Sequence, residues 1–167
     1  MSLPLLELWR AIDSHAEAKT AGMRCCLPGS VDAYDAKTCT ATVKITIQSQ
    51  TGLDYPLITN VPVVWPRTAK FVMAAPLDRG DGVLLLFSDQ SIAEWQAAKD
   101  GQVAIPQDTR THDLTDAIAI PGLFGSKSSF QFDGADELQI WYNNNGVIRM
   151  QADGTIDLND GSLVVKP

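Results

Sequence analysis

Residues 39–47, CTATVKITI, decide the fold of this 167-residue chain. Apolar and polar side chains alternate without a break along this stretch. The alternation predicts a strand with one buried and one wet face, as in an antiparallel sheet. The apolar positions are Cys39, Ala41, Val43, Ile45 and Ile47, with Thr40, Thr42, Lys44 and Thr46 between them.

Further strands are predicted on both sides of this one. A turn at Asp35-Ala36-Lys37 separates it from an upstream strand, and PLDRGDG is a second turn. Pro62 removes a ladder donor, so the strand that carries it lies at an edge or pairs irregularly. Five strands within about 65 residues predict a small closed barrel such as an OB-fold. The four additional strands are expected at residues 27–34, 55–65, 71–75 and 82–87.

Two helices are predicted outside the strands. Over residues 3–19, Leu5, Leu8, Trp9, Ile12 and Ala16 recur at helical spacing. Such a terminal helix either packs against its own domain or inserts Trp9 into a partner. Residues 91–99 read as a short helix with Ser91 as N-cap, Glu94 at the capping-box position and Gly101 at its end. Residues 102–129 are expected to be irregular.

The last thirty residues repeat on a short period: LQIWYNNNG, VIRMQADG, TIDLNDG and SLVVKP, from Leu138. Each unit is a short apolar strand closed by a turn at Asn145-Gly146, Asp153-Gly154 or Asp160-Gly161. Strands this short cannot bury an apolar face alone, so the repeat must stack or pair with other copies. The sequence predicts a helix segment at 1–22, a barrel at 23–122, and an intertwined oligomeric tail at 123–167 after a hinge at 122–129.

Composition limits the function classes. The net charge of −7 argues against a nucleic-acid partner, which calls for a basic footprint. The longest apolar runs, such as residues 83–87, are too short for a membrane span, and no secretion signal is visible. The three cysteines, Cys25, Cys26 and Cys39, are expected to be buried free thiols in a reducing cytosol.

A single His–carboxylate cluster, His112, Asp113 and Asp116, is a candidate for chemistry. It reads as a metal site or a general base, or else as a polar loop that caps turns and pairs with Arg110. The second interpretation is favoured, because a metal needs three or four converging ligands. Neither a nucleophile elbow nor a phosphate loop is present. We therefore expect no enzyme, cofactor or metal; a cell-wall hydrolase and a tail calcium site are weaker alternatives.

Four ordered blocks resemble the N-terminal domain of phage baseplate central-spike proteins, the membrane-puncturing tips of contractile tails. The blocks are LPGSVDAYDAKTCTATVKI, YPLITNVPVVWPR, PLDRGDGVLLLFSDQSIAEW and DTRTHDLTDAIAIPG. The resemblance implies an OB-fold followed by an intertwined trimeric β-helix needle. It also implies a homotrimer in the virion's tail baseplate that is made in the host cytoplasm, binds hub or tail-tube proteins and pierces the host outer membrane.

The resemblance has consequences for the tail. Ile140, Ile148, Ile156 and Val164 are expected to fill an apolar trimer axis. Many relatives end in a His-x-His apex that holds iron, whereas this chain has no histidine after His112. The tip is therefore metal-free, or covered by a separate tip protein, or the chain is truncated. The alternative function is an OB-fold module that binds cell-surface glycan through three aromatic side chains, Tyr34, Tyr55 and Trp65.

Overall fold

The structure is a computed structural model that describes residues 3–99, 101–125, 136–142, 146–158 and 163–165. The chain divides into two compact units, Met1–Phe124 and Gly125–Pro167. The first unit contains two helices, five strands and one 3-10 turn, Leu114–Asp116. In chain order these elements are α1 (Leu3–Gly22), β1 (Cys26–Asp35), β2 (Thr40–Ile45), β3 (Ile58–Pro62), β4 (Gly82–Phe87), α2 (Ala93–Ala97) and β5 (Ala117–Pro121).

The five strands form one curled antiparallel sheet, a half-barrel, in the order β3-β2-β1-β4-β5. β1 is the central strand, and its long ladder bends at a bulge between Val31 and Ala33. The two edge strands approach each other at one parallel bridge, Val63 to Ala119. The mainly β architecture is confirmed. The edge position predicted from Pro62 is confirmed as well, because β3 is an outer strand.

One face of the half-barrel carries the core. The alternation that predicts β2 is confirmed: Ala41, Val43 and Ile45 are buried, whereas Lys44 is exposed. β4 repeats the pattern with Val83, Leu85 and Phe87. The remaining buried apolar side chains of this cluster are Val31, Ile58, Val61, Val63, Ala117 and Ala119.

β4 begins with a glycine because the backbone of Leu123 occupies the place where a side chain at residue 82 would lie. A Cβ added at Gly82 would lie 1.7 Å from the carbonyl oxygen of Leu123. The amide of Gly122 donates to the carbonyl oxygen of Gly82 at 3.0 Å, which holds the chain end of the half-barrel in that place. Only a residue without a side chain allows this close approach.

The fifth strand is not the predicted one. Residues 71–75 are exposed and pair only through an isolated bridge between Arg67 and Val72, at the neck of a hairpin loop. The fifth strand is β5, AIAIP, which lies in the segment predicted to be irregular. Its alternation is only five residues long and follows an Asp- and Thr-rich loop. Pairing along the whole length of β4 stabilises it as a strand.

Three further expectations need correction. The short helix α2 is confirmed, but its N-cap is Ile92 rather than Ser91, and it ends at Ala97, before Gly101. All three cysteines are exposed, so the prediction of buried thiols is wrong. α1 continues past the periodic stretch 3–19 to Gly22, the end of the predicted helix segment, and every side chain from residue 5 to residue 20 is exposed. These side chains therefore do not pack against the chain's own half-barrel.

The second unit contains a four-stranded antiparallel meander, in the order β6-β7-β8-β9. The predicted turn at Asp153-Gly154 is confirmed: Gly154 has φ +85°, and its amide donates to the carbonyl oxygen of Gln151. Asn145 and the pair Asp160-Gly161 lie outside the described residues, as does the second half of the expected hinge, residues 126–129. The strands are β6 (Glu137–Tyr142), β7 (Gly146–Gln151), β8 (Ile156–Leu158) and β9 (Leu163–Val165).

Candidate functional site

The tail sheet aligns its apolar residues in two adjacent rows. Ile140 pairs with Ile148, which pairs in turn with Leu158. The next row joins Leu138 to Met150 and Met150 to Ile156. Directly paired residues point to the same face of a sheet, as do residues two apart along a strand. The two rows therefore form one continuous apolar face.

This apolar face is exposed in the single chain. Leu138 is 60% exposed, Ile140 51% and Leu163 55%, and Ile148 and Met150 are also accessible. These are large aliphatic side chains in contiguous positions, and a patch of this kind marks an interaction site. We call it the tail apolar face and define it as Leu138, Ile140, Ile148, Met150, Ile156, Leu158 and Leu163.

The opposite face of the same sheet carries the charged and amide side chains, together with the paired Trp141 and Val147. Trp141 Nε1 donates to the side-chain oxygen of Gln139, and Gln139 Nε2 donates to Glu137. The guanidinium of Arg149 lies 3.8 Å from the Glu137 carboxylate and 3.9 Å from that of Asp157. The charged side chains of this face, at 27% for Arg149 and 15% for Asp157, are less exposed than the five accessible apolar side chains opposite. The sheet thus has its charges internally paired and its hydrophobic side chains open.

The four residues predicted at a trimer axis do not all share one register. Ile140, Ile148 and Ile156 belong to the tail apolar face. Val164 pairs with Asp157, whereas Ile156 pairs with Val165. The side chain of Val164 lies outside what the structure describes. A role for these residues at an axis stays a prediction, and the backbone pairing sets Val164 one residue out of step with the isoleucines.

The His–carboxylate cluster is a structural clamp. Asp116, 1% exposed, accepts from Arg110 Nε at 2.6 Å, from Arg110 Nη2 at 3.1 Å and from the Ile92 amide at 2.9 Å. Arg110 Nη2 also donates to Ser91 Oγ. The hydrogen bond from Arg110 and that from the Ile92 amide hold the pKa of Asp116 below its ordinary value, against the opposing effect of burial. The clamp joins the start of α2 to the loop before β5.

The other two members of the cluster also hold turns. Asp113 caps the 3-10 turn by accepting from the amide and hydroxyl of Thr115, which lowers the Asp113 pKa. His112 Nδ1 lies 3.0 Å from the carbonyl oxygen of Arg24, and its Nε2 lies 3.1 Å from the Asp89 carboxylate. The prediction of a polar loop that caps turns and pairs with Arg110 is confirmed: Asp113 caps the 3-10 turn, and Asp116 is the partner of Arg110. Among the described residues, three or more His, Cys, Asp or Glu side chains are nowhere grouped so that they could hold a metal.

The three aromatic residues proposed to bind glycan are engaged within the half-barrel. Tyr34, Tyr55 and Trp65 are partly buried and pack against the core. Trp65 Nε1 donates to the hydroxyl of Tyr34 at 3.3 Å, and Arg24 lies over the Tyr55 ring at 5.7 Å from its centre. A stacking platform needs open ring faces. This packing gives the glycan alternative no support.

The described helices include none that is long and apolar enough to cross a membrane.

The family is identified from the sequence of the half-barrel. The sequence profile described as "Phage protein Gp138 N-terminal domain" matches residues 27–122, from the first residues of β1 to the end of β5. The match covers more than half of the chain. The chain belongs to this family. A search of curated proteins finds no match.

Membership in the Gp138 N-terminal domain family bears out the resemblance to phage spike proteins. It indicates a phage structural protein, a component of the virion. The matched range ends before the tail sheet and begins after α1. α1 and the tail sheet therefore lie outside the matched domain, and each is predicted by its own sequence pattern: helical spacing in α1 and the short repeat in the tail.

Proposed function

We propose that this protein is the central spike of a contractile-tail baseplate, or of a related injection particle. In this proposal it is a homotrimer on the tail axis that caps the tube and is driven through the host envelope when the sheath contracts. The tail apolar face carries the proposal, because a single chain leaves that face open to water. The family supports it by indicating a phage structural protein.

The size of the tail apolar face supports association between copies. Five of its side chains are on average about half exposed: Leu138, Ile140, Ile148, Met150 and Leu163. Complete burial of a large aliphatic side chain contributes roughly 1.5–3 kcal/mol. Covering the exposed halves would therefore stabilise an assembly by roughly 4–7 kcal/mol per chain before the entropic cost of association. Three chains together reach a range that can hold a micromolar complex or a tighter one.

The half-barrel fits the proposed architecture. Its strand order, with one parallel bridge between β3 and β5, is the arrangement that an OB-type barrel would have. We propose that three such barrels form the collar of the spike and that the tail sheets wrap into the predicted three-chain β-helix. Closure among chains would leave few free strand edges, and a closed β structure is stiff and resists aggregation.

The role proposed here is mechanical and not enzymatic. In the His–carboxylate cluster, Asp116 pairs with Arg110 and Asp113 caps a turn, and both are structural contacts. The proposed partners are two other copies of the chain, the baseplate hub or tail-tube proteins and, transiently, the host outer membrane, with a separate tip protein as a further candidate. The protein would be made in the host cytoplasm and carried in the tail baseplate.

The oligomeric state tests the proposal. The chain has a mass of 18.1 kDa, so multi-angle light scattering of the full chain should report three times that mass at micromolar concentration. The trimer should survive mild detergent, because a closed β structure has few exposed edges. A monomer under these conditions would overturn the proposal. Antibodies against the half-barrel should label the tail end of virions; labelling confined to the capsid would contradict the proposed location.

A further inference from the structure

The half-barrel has a second apolar surface, on the side away from its core. On that outer side β2 is polar, as expected of a face in water, with Thr40, Thr42 and Lys44. β4 and β5 differ, because their sequences, GVLLLF and AIAIP, contain no polar side chain on either side. Strands that are apolar on both sides are typical of sheets covered on both faces. The outer side of β4 and β5 is therefore expected to have a partner.

Pairing between the strands places these outer side chains in two adjacent rows. Leu84 pairs with Pro28 on one side and with Ile120 on the other. Directly paired residues share a face of a sheet, as do residues two apart along a strand. The second row therefore lies on the same outer side: Cys26, Leu86 and Ile118.

The segment after β3 extends the first row across a fourth backbone. Val63 forms a parallel bridge with Ala119, and both side chains are buried. The next residue along each backbone, Val64 and Ile120, therefore points outward, and these two are 48% and 38% exposed. Four backbones at a spacing of about 4.8 Å make the row roughly 14 Å wide. We call this surface the outer apolar face and define it as Cys26, Pro28, Val64, Leu84, Leu86, Ile118 and Ile120.

The chain leaves the half-barrel across one end of the outer apolar face. Gly82 lies two residues before Leu84, on the same side of β4. A Cβ added at Gly82 would lie 1.7 Å from the carbonyl oxygen of Leu123 and 3.6 Å from a ring atom of Phe124. Leu123 and Phe124 therefore cross the outer side of β4, where they are 40% and 52% exposed. Phe124 ends the first unit, so the connection to the tail starts at this face.

The chemistry and size of the outer apolar face favour other copies of this chain as its partner. The face contains no charged side chain, so a complementary surface is also apolar, and a second copy of the same face meets that requirement. It has far fewer residues than the roughly 20–30 a side of a stable independent interface. A surface of this size is sufficient for copies that are already tethered, since short covalent connections give effective concentrations on the order of millimolar.

We propose that the outer apolar face is covered by the same face of other copies, so that the half-barrels of the assembly turn β4 and β5 toward a common axis. The inference rests on the proposed function, because the associated tails supply the tether. It assigns the contacts of the collar to a defined surface that is separate from the tail apolar face. The width of the outer apolar face allows contact with a neighbour on both sides in a cyclic arrangement.

Thiol protection in the full chain tests this arrangement. In a background where the three exposed native cysteines are replaced by serine, Ile120→Cys puts one thiol in the outer apolar face. Thr42→Cys is the matched control, on the outer side of β2. In the trimer at micromolar concentration, the thiol of Ile120→Cys should react with a bulky maleimide about tenfold or more slowly than after Ile148→Asp is added to separate the chains, because a covered group reacts only when its contact opens. Thr42→Cys should react at the same rate in both states.

Lysine substitution gives an independent measurement by light scattering on a dilution series. Ile120→Lys should raise the concentration at which half of the chains are trimeric by about tenfold or more, because a covered lysine has no counter-charge in the outer apolar face. Thr42→Lys makes the same change on β2 and should leave that concentration unchanged. Equal concentrations for the two variants would overturn the proposal.

The same samples separate this inference from the proposed function. A trimer whose Ile120→Cys thiol reacts as fast as in the Ile148→Asp protein overturns the contact at the outer apolar face and leaves the proposed function standing. A monomer with a reactive thiol overturns both. A monomer whose thiol is protected relative to the unfolded chain would show that the chain covers this face itself, which also overturns both.

Discussion

Replacing Ile148 by aspartate should dissolve the proposed trimer. Ile148 lies in β7 and pairs with Ile140 on one side and Leu158 on the other, so it is central to the tail apolar face. It is 38% exposed in the single chain. In the assembly that exposed part would be covered, and in a three-fold arrangement three copies would meet at one level.

The loss of trimer stability caused by Ile148→Asp has two parts. Losing the burial of the exposed third of the side chain costs about 0.5–1 kcal/mol per chain. Placing an unpaired carboxylate in the covered face costs several kcal/mol per chain, whether it stays charged or takes up a proton. The sum over three chains is comparable with the whole stabilisation available from the tail apolar face. The trimer should therefore be lost at micromolar concentration.

Light scattering on size-exclusion fractions measures this effect directly. Ile105→Asp makes the same chemical change at an open position of the first unit, where the side chain is 74% exposed, and should leave the mass unchanged. Ile148→Val, which removes a single methylene, should weaken the trimer by about 1 kcal/mol per chain at most. An Ile148→Asp protein that stays trimeric at the same concentration as the Ile105→Asp protein would refute the argument that this face is covered.

Three further predictions concern the first unit. Asp116→Asn should reduce the free energy of unfolding by about 1–3 kcal/mol, because it weakens buried charge-assisted hydrogen bonds; Asp108→Asn, at an exposed carboxylate, should change the thermal midpoint far less. Gly82→Ala should destabilise the unit by about 3 kcal/mol or prevent folding, since its Cβ would meet the Leu123 carbonyl oxygen. Gly125→Ala, with open space around it, should be tolerated. Equal thermal midpoints for the two variants would contradict the close approach at Gly82. Because folding lowers the pKa of Asp116, its carboxylate stabilises the folded state above the unfolded pKa of about 3.9, and this stabilisation is lost as pH falls through the folded pKa. The thermal midpoint should therefore fall less between pH 6 and pH 2.5 in Asp116→Asn than in the wild type.

Local pattern was sufficient where one segment carries its own signal. The alternation around Val43 predicted β2 and its buried face, and Pro62 predicted an edge strand. The spacing of Leu5, Leu8 and Ile12 predicted α1. In each case the deciding physics is local: side-chain period, a missing backbone donor, or an apolar stripe.

Pattern failed where a partner strand decides the outcome. Residues 71–75 have strand-like composition, yet they form part of a hairpin loop because no long strand of the half-barrel pairs with them. β5 is weaker as a pattern and is a strand because five of its residues pair with β4. The sequence predicted that this loop pairs with Arg110, but not that Asp116 also accepts from the Ile92 amide, since Asp116, Arg110 and Ile92 converge only when the loop before β5 folds against α2.

The sequence by itself determined the strand character of the half-barrel, the N-terminal helix and the short tail repeat, because each depends on the order of apolar and polar residues along one segment. Only the tertiary structure decided which segment completes the sheet, since pairing is a property of two strands at once. It also decided that the tail apolar face is open while the opposite charges are paired, because register between strands, and not spacing within one, sets which side chains share a face.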